Sequence, residues 1–287
     1  MFHEKFGRNV RDNVWIIAMY FIAAIFLLVF VFPYLYMLFS SFKPSKDVIS
    51  VDPTFFPKTW SMENYAKLFS TSGIPLNFTN SLIAALASTL ICLVLGSLAS
   101  YAISRTEAAK FSNLLLILVL SLKMIPTASI VTPIYSIVQS LGVYDMLPTL
   151  CIVYSGVNMP FVLWMMISFF KAVPQDLDEA AAVDGAGPFR SFFTIILPVV
   201  TPSLISTGIF TFLLSWNDFL VALLLTSSDA KTVPVALSEF LTSYSLDLGP
   251  MTAAAVCFSL PVIVISAVNR NAWRLTPSAP EYLVNAE

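Results

Sequence analysis

The sequence is poor in charge, histidine, cysteine and glycine, and each shortage removes a class of function. Asp, Glu, Lys and Arg make up 11% of its 287 residues, where a soluble domain carries about 25%. With 57% hydrophobic residues and a mean hydropathy of +0.83, the composition is that of a membrane protein. The one histidine, His3, leaves no Ser-His-Asp triad and no zinc-hydrolase ligand set. Cys92, Cys151 and Cys257 lie far apart inside apolar runs and read as small buried hydrophobes, not as a disulfide framework or metal site. No glycine-rich loop ends in Gly-Lys-Ser/Thr, so ATP binding by this chain is not expected. A formal net charge of -2 with no basic run argues against nucleic acid as a partner.

What the sequence has is long apolar runs. After a short basic segment, residues 1–13, the run Val14 to Phe42 exceeds the roughly 20 residues needed to cross a bilayer. It is too long for a signal-peptide core and lacks a small-residue cleavage site, so it is expected to be a retained first span kinked by Pro33. Residues 43–75 form an expected outer loop with four prolines, in which Trp60 to Tyr65 starts a short helix at the membrane surface. Trp60 and Tyr65 fit an interfacial aromatic belt. Residues 76–268 hold five more expected spans: Phe78–Ile103, Phe111–Val138 interrupted by Pro126 and Pro133, Thr149–Phe170, Ser203–Leu225 and Met251–Val268. The second carries Ala84, Ala85, Ala87, Ser88, Gly96, Ser97, Ala99 and Ser100, small residues that let helices approach closely. With the N-terminus inside, nine basic residues fall on inner segments and five on outer ones, which places the loop 171–202 and the tail 269–287 in the cytoplasm.

That loop is the longest polar interruption. Val173-Pro174 ends the preceding run, because proline cannot continue a helix. Asp176, Asp178 and Glu179 crowd an expected first turn, where carboxylates suit the exposed amides, and Ala180, Ala181 and Ala182 favour helix. Gly185 stands where a left-handed C-cap belongs, and Pro188 is placed to open a second helix. The expectation is a helix, a tight bend and a second helix returning to the membrane.

Glu179-Ala180-Ala181, then Gly185, then Ile195-x-Leu197-Pro198 resembles the EAA loop of permease subunits of ABC-type importers, with every position of that pattern met. The resemblance implies that Glu179, Ala180, Ala181, Asp184, Gly185, Pro188, Arg190, Leu197 and Pro198 form a coupling helix and its exit, docking in a cleft of an ATP-hydrolysing subunit. Asn80-Ser81, Tyr101 to Arg105, Met124-Ile125-Pro126 and Ser215 to Phe219 are similar to the sugar-importing branch, the maltose-type second permease. That branch implies an all-α integral membrane protein of six transmembrane helices with the type I importer (MetI-like) fold. It also implies a second homologous permease, two ATP-binding ABC subunits that hold ATP and Mg, an extracytoplasmic solute-binding protein and a sugar substrate. No cofactor would be bound by this chain. The location would be a bacterial or archaeal inner membrane, with both termini cytoplasmic. Residues 269–287 depart from the pattern, which expects a short basic end.

Within the spans, five residues are candidates for the solute pathway. Lys123 costs on the order of 3 kcal/mol in mid-membrane; it either lines the pathway beside the Pro126 break, or snorkels or pairs with an acid. Asn217 and Asp218, beside Trp216, offer amide and carboxylate to sugar hydroxyls and a ring to the sugar's apolar face; the alternative is helix–helix hydrogen bonding. Asn158 carries the same two readings. Glu179 either meets a base on the ATPase or caps its own helix. Ala180 and Ala181 are expected to keep the docking face flat. An ion-coupled transporter would need membrane-buried acids, for which Asp218 is the clear candidate; a permease of the same architecture for a non-sugar solute is the other alternative.

Overall fold

The computed structural model describes residues 2–50, 52–70, 73–105, 109–242 and 248–275, with side chains over 15–50, 52–70, 73–105, 114–239 and 248–267. The helices in chain order are α1 (Phe2–Ser41), α2 (Ser45–Val48), α3 (Glu63–Ser70), α4 (Ile74–Ser104), α5 (Ala109–Met124), α6 (Thr127–Ser140), α7 (Leu147–Ala172), α8 (Asp176–Val183), α9 (Pro188–Ser191), α10 (Leu197–Trp216), α11 (Leu220–Leu225), α12 (Val233–Thr242) and α13 (Leu248–Leu275). Among the described residues, five stretches are long and apolar enough to cross a membrane: Trp15–Ser41, Ile74–Ser104, Leu147–Ala172, Pro188–Trp216 and Leu248–Ala267. A sixth arises if Leu114–Met124 and Thr127–Ser140, bent by 85°, are one broken span.

Three details differ from the sequence expectation. The third span breaks once, at Pro126, while Pro133 is carried inside α6; a helix tolerates an internal proline where neighbours satisfy the freed carbonyl. The fifth span begins earlier than Ser203 and stops at Trp216, so residues 217–219 separate it from α11. The segment between the fifth and sixth expected spans, residues 226–250, contains α12. The tail expectation lies outside the described residues beyond Leu275, as do the side chains of the N-terminal basic segment.

The chain divides into two compact units. In the first, residues 1–71 and 240–257, the apolar stretch of α1 from Trp15 to Phe32 is exposed, as suits a helix facing hydrocarbon. Its far end is knotted by Asn64, fully buried, whose Nδ2 donates to Ser41 O at 2.9 Å and Lys43 O at 2.7 Å. Those carbonyls at and beyond the helix end lack intrahelical donors, so the amide acts as a cap supplied from α3. Asn64 Oδ1 accepts from Ser45 Oγ at 2.8 Å. A Cβ on residue 249 would come within 2.2 Å of that same Oδ1, so Gly249 is required for the start of α13 to lie against the knot. Lys43 is buried, donates from Nζ to Thr54 O and covers the Tyr36 ring; burial lowers its pKa, Asp47 opposing.

The second unit, residues 72–239 and 258–287, is built on α4, α7 and α10. The buried face of α4 carries Ala84, Ala85, Ser88, Thr89, Cys92, Gly96, Ser97 and Ser100, while Leu82, Ile83, Leu86, Leu90, Val94 and Leu95 are exposed. Small residues inward and bulky ones outward is the pattern of helices that pack in lipid. A Cβ on Gly96 would fall 2.7 Å from Val162 Cγ1 of α7, and one on Gly208 of α10 2.9 Å from Leu93 Cδ1. Beyond these approaches, away from the EAA end, Ser88 Oγ and Ser215 Oγ share a hydrogen bond of 2.9 Å, and Asn158 Nδ2 donates to Ser215 Oγ at 3.0 Å. One apolar cluster, with Val162, Met166, Phe170, Phe192 and Ile196, lies towards the EAA end. Another, with Val131, Leu150, Tyr154, Val221 and Leu225, lies towards the opposite end.

At that opposite end Asp145, in the left-handed region at φ 57, clamps the loop after α11. Its carboxylate accepts backbone N–H bonds from Ser227, Ser228, Asp229 and Ala230 at 2.8 to 3.1 Å. Burial alone would raise its pKa, but the four amides outweigh burial and hold the group well below the usual carboxylate range. Asn80 Nδ2 donates to Asp229 O and Lys231 O, and Ser81 Oγ accepts from Val233 N, so the Asn-Ser pair, which lies in the second turn of α4 because the helix starts at Ile74, fixes the same loop.

Candidate coupling loop and solute cavity

The EAA segment folds by local rules. Val173 ends α7 in an extended conformation, as a residue before proline must. The amides of Asp178 and Glu179 donate to Gln175 O, and Asp176, Asp178 and Glu179 occupy the first turn of α8. At the other end Gly185 has φ +81. Its N–H donates to Ala182 O at 3.0 Å, and the N–H of Ala186 donates to Ala181 O at 2.9 Å, the paired bonds of a Schellman cap. Gly187 leads in extended geometry to α9, with Pro188 in its first turn. One π-helical turn, Phe192–Ile196, then joins α9 to α10, and Leu197 N–H reaches Phe192 O. Pro198 has no N–H for the carbonyl four residues back and its ring crowds that carbonyl; the wider turn relieves the clash.

Of the coupling candidates, Glu179, Ala180, Asp184, Gly185, Pro188 and Arg190 are exposed, as is Pro198, while Leu197 is half-buried. Ala181 is 3% exposed: it turns inward and packs against its own chain, so it does not flatten the outer face as expected. Two apolar side chains that the motif does not single out stand furthest out, Val183 at 88% and Phe189 at 75% exposure. Their apolar character within a polar loop was the available signal.

Sequence reasoning also missed the centre of this end. Asp178 Oδ1 accepts from Tyr101 Oη at 2.5 Å and from Ser191 Oγ at 2.9 Å, and Oδ2 pairs with Arg105 Nε at 2.7 Å. Arg105 Nη1 donates to Phe170 O at 3.1 Å and Val173 O at 3.2 Å, at the end of α7. The Tyr101 ring packs on Phe170 and Phe192, with centroids 5.7 and 5.0 Å away. A cavity of about 680 Å³ opens beside this group, walled by Leu98, Ala102, Ala182, Pro188 and Phe189.

The solute-pathway candidates separate. Asn217 and Asp218 line a cavity of about 530 Å³ with Thr127, Phe210 and Phe219, where the break after α5 and the break after α10 meet. Asn217 Nδ2 donates to Leu213 O at 2.9 Å, and Asp218 Oδ1 accepts from Val221 N at 3.0 Å, capping α11. Helix breaks of this kind turn backbone dipoles and polar side chains towards a central space. Asn158 and Trp216 do not line it. Asn158 is buried in the Ser88–Ser215 group, and Trp216, 2% exposed, stacks between Phe212 and Phe258 and donates from Nε1 to Phe258 O. Lys123 is exposed in the last turn of α5, where the helix dipole favours a cation. Among the described residues no group of His, Cys, Asp and Glu could hold a metal ion.

Helices long enough to cross a membrane, a cavity between two broken ones and a capped helix–bend–helix loop at the far end define a multi-pass membrane transport component. Residues 93–272 match the family described as the binding-protein-dependent transport system inner membrane component. The trehalose transport system permease protein SugB of Mycobacterium tuberculosis is 34% identical over 235 residues, 81% of this chain and 85% of the relative. The trehalose/maltose transport system permease protein MalG of Thermococcus litoralis is 34% identical over 253 residues, 85% of this chain and 88% of the relative. A chain from the crystal structure of a bacterial ABC transporter involved in the import of the acidic polysaccharide alginate superposes with a TM-score of 0.75, at 19% identity, over 91% of this chain and 96% of that one. The chain belongs to the binding-protein-dependent transport system inner membrane components. It is an inner-membrane permease subunit with the type I importer fold, and not an enzyme.

Proposed function

We propose that this permease subunit carries a sugar or sugar-like solute inward, driven by two partner ATPases that hold ATP and Mg. The observation that carries the reading is the Schellman-capped α8, the Gly185 bend and α9, which together present Val183 and Phe189 to solvent. An exposed apolar pair rimmed by Glu179, Asp184 and Arg190 suits docking into a protein cleft. Its closure would pull α8, and the helices tied to it, between outward and inward access. The excess of basic residues on its side supports a cytoplasmic position for this loop, the N-terminal segment and the tail. A homologous second permease would complete the pathway, and an extracytoplasmic binding protein would deliver solute, as the family description implies.

A sugar is favoured because SugB and MalG are named for trehalose and maltose and the superposed structure imports alginate. The cavity at Asn217 and Asp218 fits that class, with an amide, a carboxylate and the ring of Phe219 for hydroxyls and an apolar sugar face. Lys123 stands beside the Pro126 break as a further pathway residue. Asn158 and Trp216 support the cavity by fixing α7 and α10.

Affinity purification in mild detergent with mass spectrometry of co-purifying chains tests the assembly; a Walker-type ATPase and a second six-span permease are expected. Recovery of this chain alone, even after cross-linking in membranes, would overturn it. Uptake of radiolabelled mono-, di- and oligosaccharides by cells with and without the gene tests the solute, and uptake unaffected across the panel would rule the sugar out.

A further inference from the structure

We infer that Asp178 and Arg105 form the transmission joint of the subunit, converting displacement of the loop at 173–187 into joint displacement of α4 and α7. The inference rests on the coupling reading above. Ala181 is the one residue of α8 that is buried, so apolar packing grips this helix weakly. A single carboxylate holds it instead. Asp178 ties α8 to α4 through Tyr101 and Arg105, and to the start of the return helix through Ser191. Arg105 extends the tie to α7 by donating to two carbonyls at its end; Phe170 O also accepts from Val173 N, while Val173 O lies beyond the last helical turn.

Charge-assisted bonds of this kind are short and directional, so they transmit a pull and not merely a contact. Four segments meet at one carboxylate and one guanidinium, and no apolar residue could take either place. Along the chain itself, by contrast, the loop reaches α10 through the π-helical turn at Phe192–Ile196, a local departure from the α-helical ladder. The joint therefore acts on α4 and α7, the pair joined most closely at Gly96 and Val162. Tyr101, Arg105 and Asp178 are positioning residues in this scheme and touch no solute.

The test uses the whole complex in nanodiscs, with Asn217→Cys as a reporter in the cavity. Its labelling by a membrane-impermeant maleimide is read by peptide mass spectrometry, with and without ATP and vanadate. With an intact joint, trapping is expected to change labelling at residue 217 by 5-fold or more. Asp178→Ala should retain the co-purifying ATPase and hydrolyse ATP within about 2-fold of the parent, yet lose the labelling change. Joining Asp178→Asn to Arg105→Gln should do no more damage than the worse single change, as for two ends of one tie. A labelling change that survives Asp178→Ala, additive effects in the pair, or loss of the ATPase from the variant would each overturn the inference while leaving the coupling reading intact. No response to ATP in the parent complex would overturn both. If Asp178→Ala fails to accumulate, Tyr101→Phe keeps the ring and the ion pair and should weaken the response about 2-fold; an undiminished response counts against the joint.

Discussion

Arg105 Nε lies 2.7 Å from Asp178 Oδ2, while Nη1 of the same guanidinium donates to Phe170 O and Val173 O. One side chain therefore closes the end of α7 and anchors α8. The planar fork of arginine serves both directions at once; a lysine ammonium is a point donor on a flexible stem and offers no such fixed geometry. The loop that faces the outside of the subunit is thus held from within by polar groups, while its outer surface keeps its apolar residues, Val183 and Phe189, exposed.

The bend at Gly185 has a sharper requirement than its position in a motif. At φ +81, a side chain meets the left-handed penalty of about 1–2 kcal/mol, and asparagine bears it best. No atom lies within 4 Å of a Cβ there, so conformation and not space is the constraint. Gly185→Asn should keep most of the co-purifying ATPase, whereas Gly185→Val should lose it by about 10-fold at unchanged membrane abundance. Equal recovery with both variants would show that the bend does not set the docking geometry.

What could be read in the sequence was local. The helix start at Asp176, the stop at Gly185 and the restart at Pro188 each follow from one or two residues, and the structure has all three. The Asp178 group could not be read this way. Tyr101 and Asp178 are 77 residues apart in sequence, and a charged residue in a polar loop looks solvated until the fold brings its partners to it. The break after Trp216 was hidden for another reason. Apolar residues continue through Phe219 to Leu225, so hydropathy sees one span, while Asp218 caps a new helix. Asn158 and Trp216 are polar or amphipathic residues in mid-span, which composition cannot sort between a pathway and an interhelical bond; burial and named partners separate them from Asn217 and Asp218.

Close packing between α4 and α7 gives a prediction independent of transport. The Cβ of alanine at 96 would press on Val162 Cγ1 at 2.7 Å, and a β-branched neighbour has little rotamer freedom to yield. Gly96→Ala should cost about 1–3 kcal/mol, seen as a lower thermal midpoint of the detergent-solubilised protein. Val162→Ala in the same chain should restore most of the loss. A midpoint that falls further in the double variant would show that the two helices do not meet there.

The Asp145 clamp makes a statement about pH. Its carboxyl is held below the usual range by the amides of residues 227–230, so it binds fewer protons folded than unfolded. The stabilisation is then complete above the ordinary carboxylate pKa of about 3.9 and is lost as pH falls from there through the lower folded value. Hydrogen exchange of the Ser227 to Ala230 amides should accordingly stay protected from pH 8 down to about 4, once intrinsic rates are corrected. Asp145→Asn replaces one accepting oxygen with a donor facing other donors, and should speed exchange of these amides by about 10-fold or more across that range. Protection that declines between pH 6 and 5 in the parent chain would contradict the depressed pKa.

Asn217 and Asn158 offer the same amide in two settings, and their substitution should split function from stability. Asn158 is buried and donates to Ser215 Oγ, a bond worth about 0.6 kcal/mol within a membrane and up to about 1.7. Asn217 faces the cavity between the two broken helices, and its Nδ2 donates within its own turn, to Leu213 O. Asn158→Leu should lower the thermal midpoint of the subunit, with any transport loss following the amount of folded protein. Asn217→Leu should leave the midpoint within about one degree and reduce solute uptake per folded molecule by 10-fold or more. Asp218→Asn is an intermediate case, since the amide can still accept from Val221 N and keep α11 capped while the charge is lost; uptake should fall with α11 intact. If Asn217→Leu instead leaves uptake per folded molecule unchanged, the solute does not pass this cavity, and the break after Trp216 serves only to turn the chain.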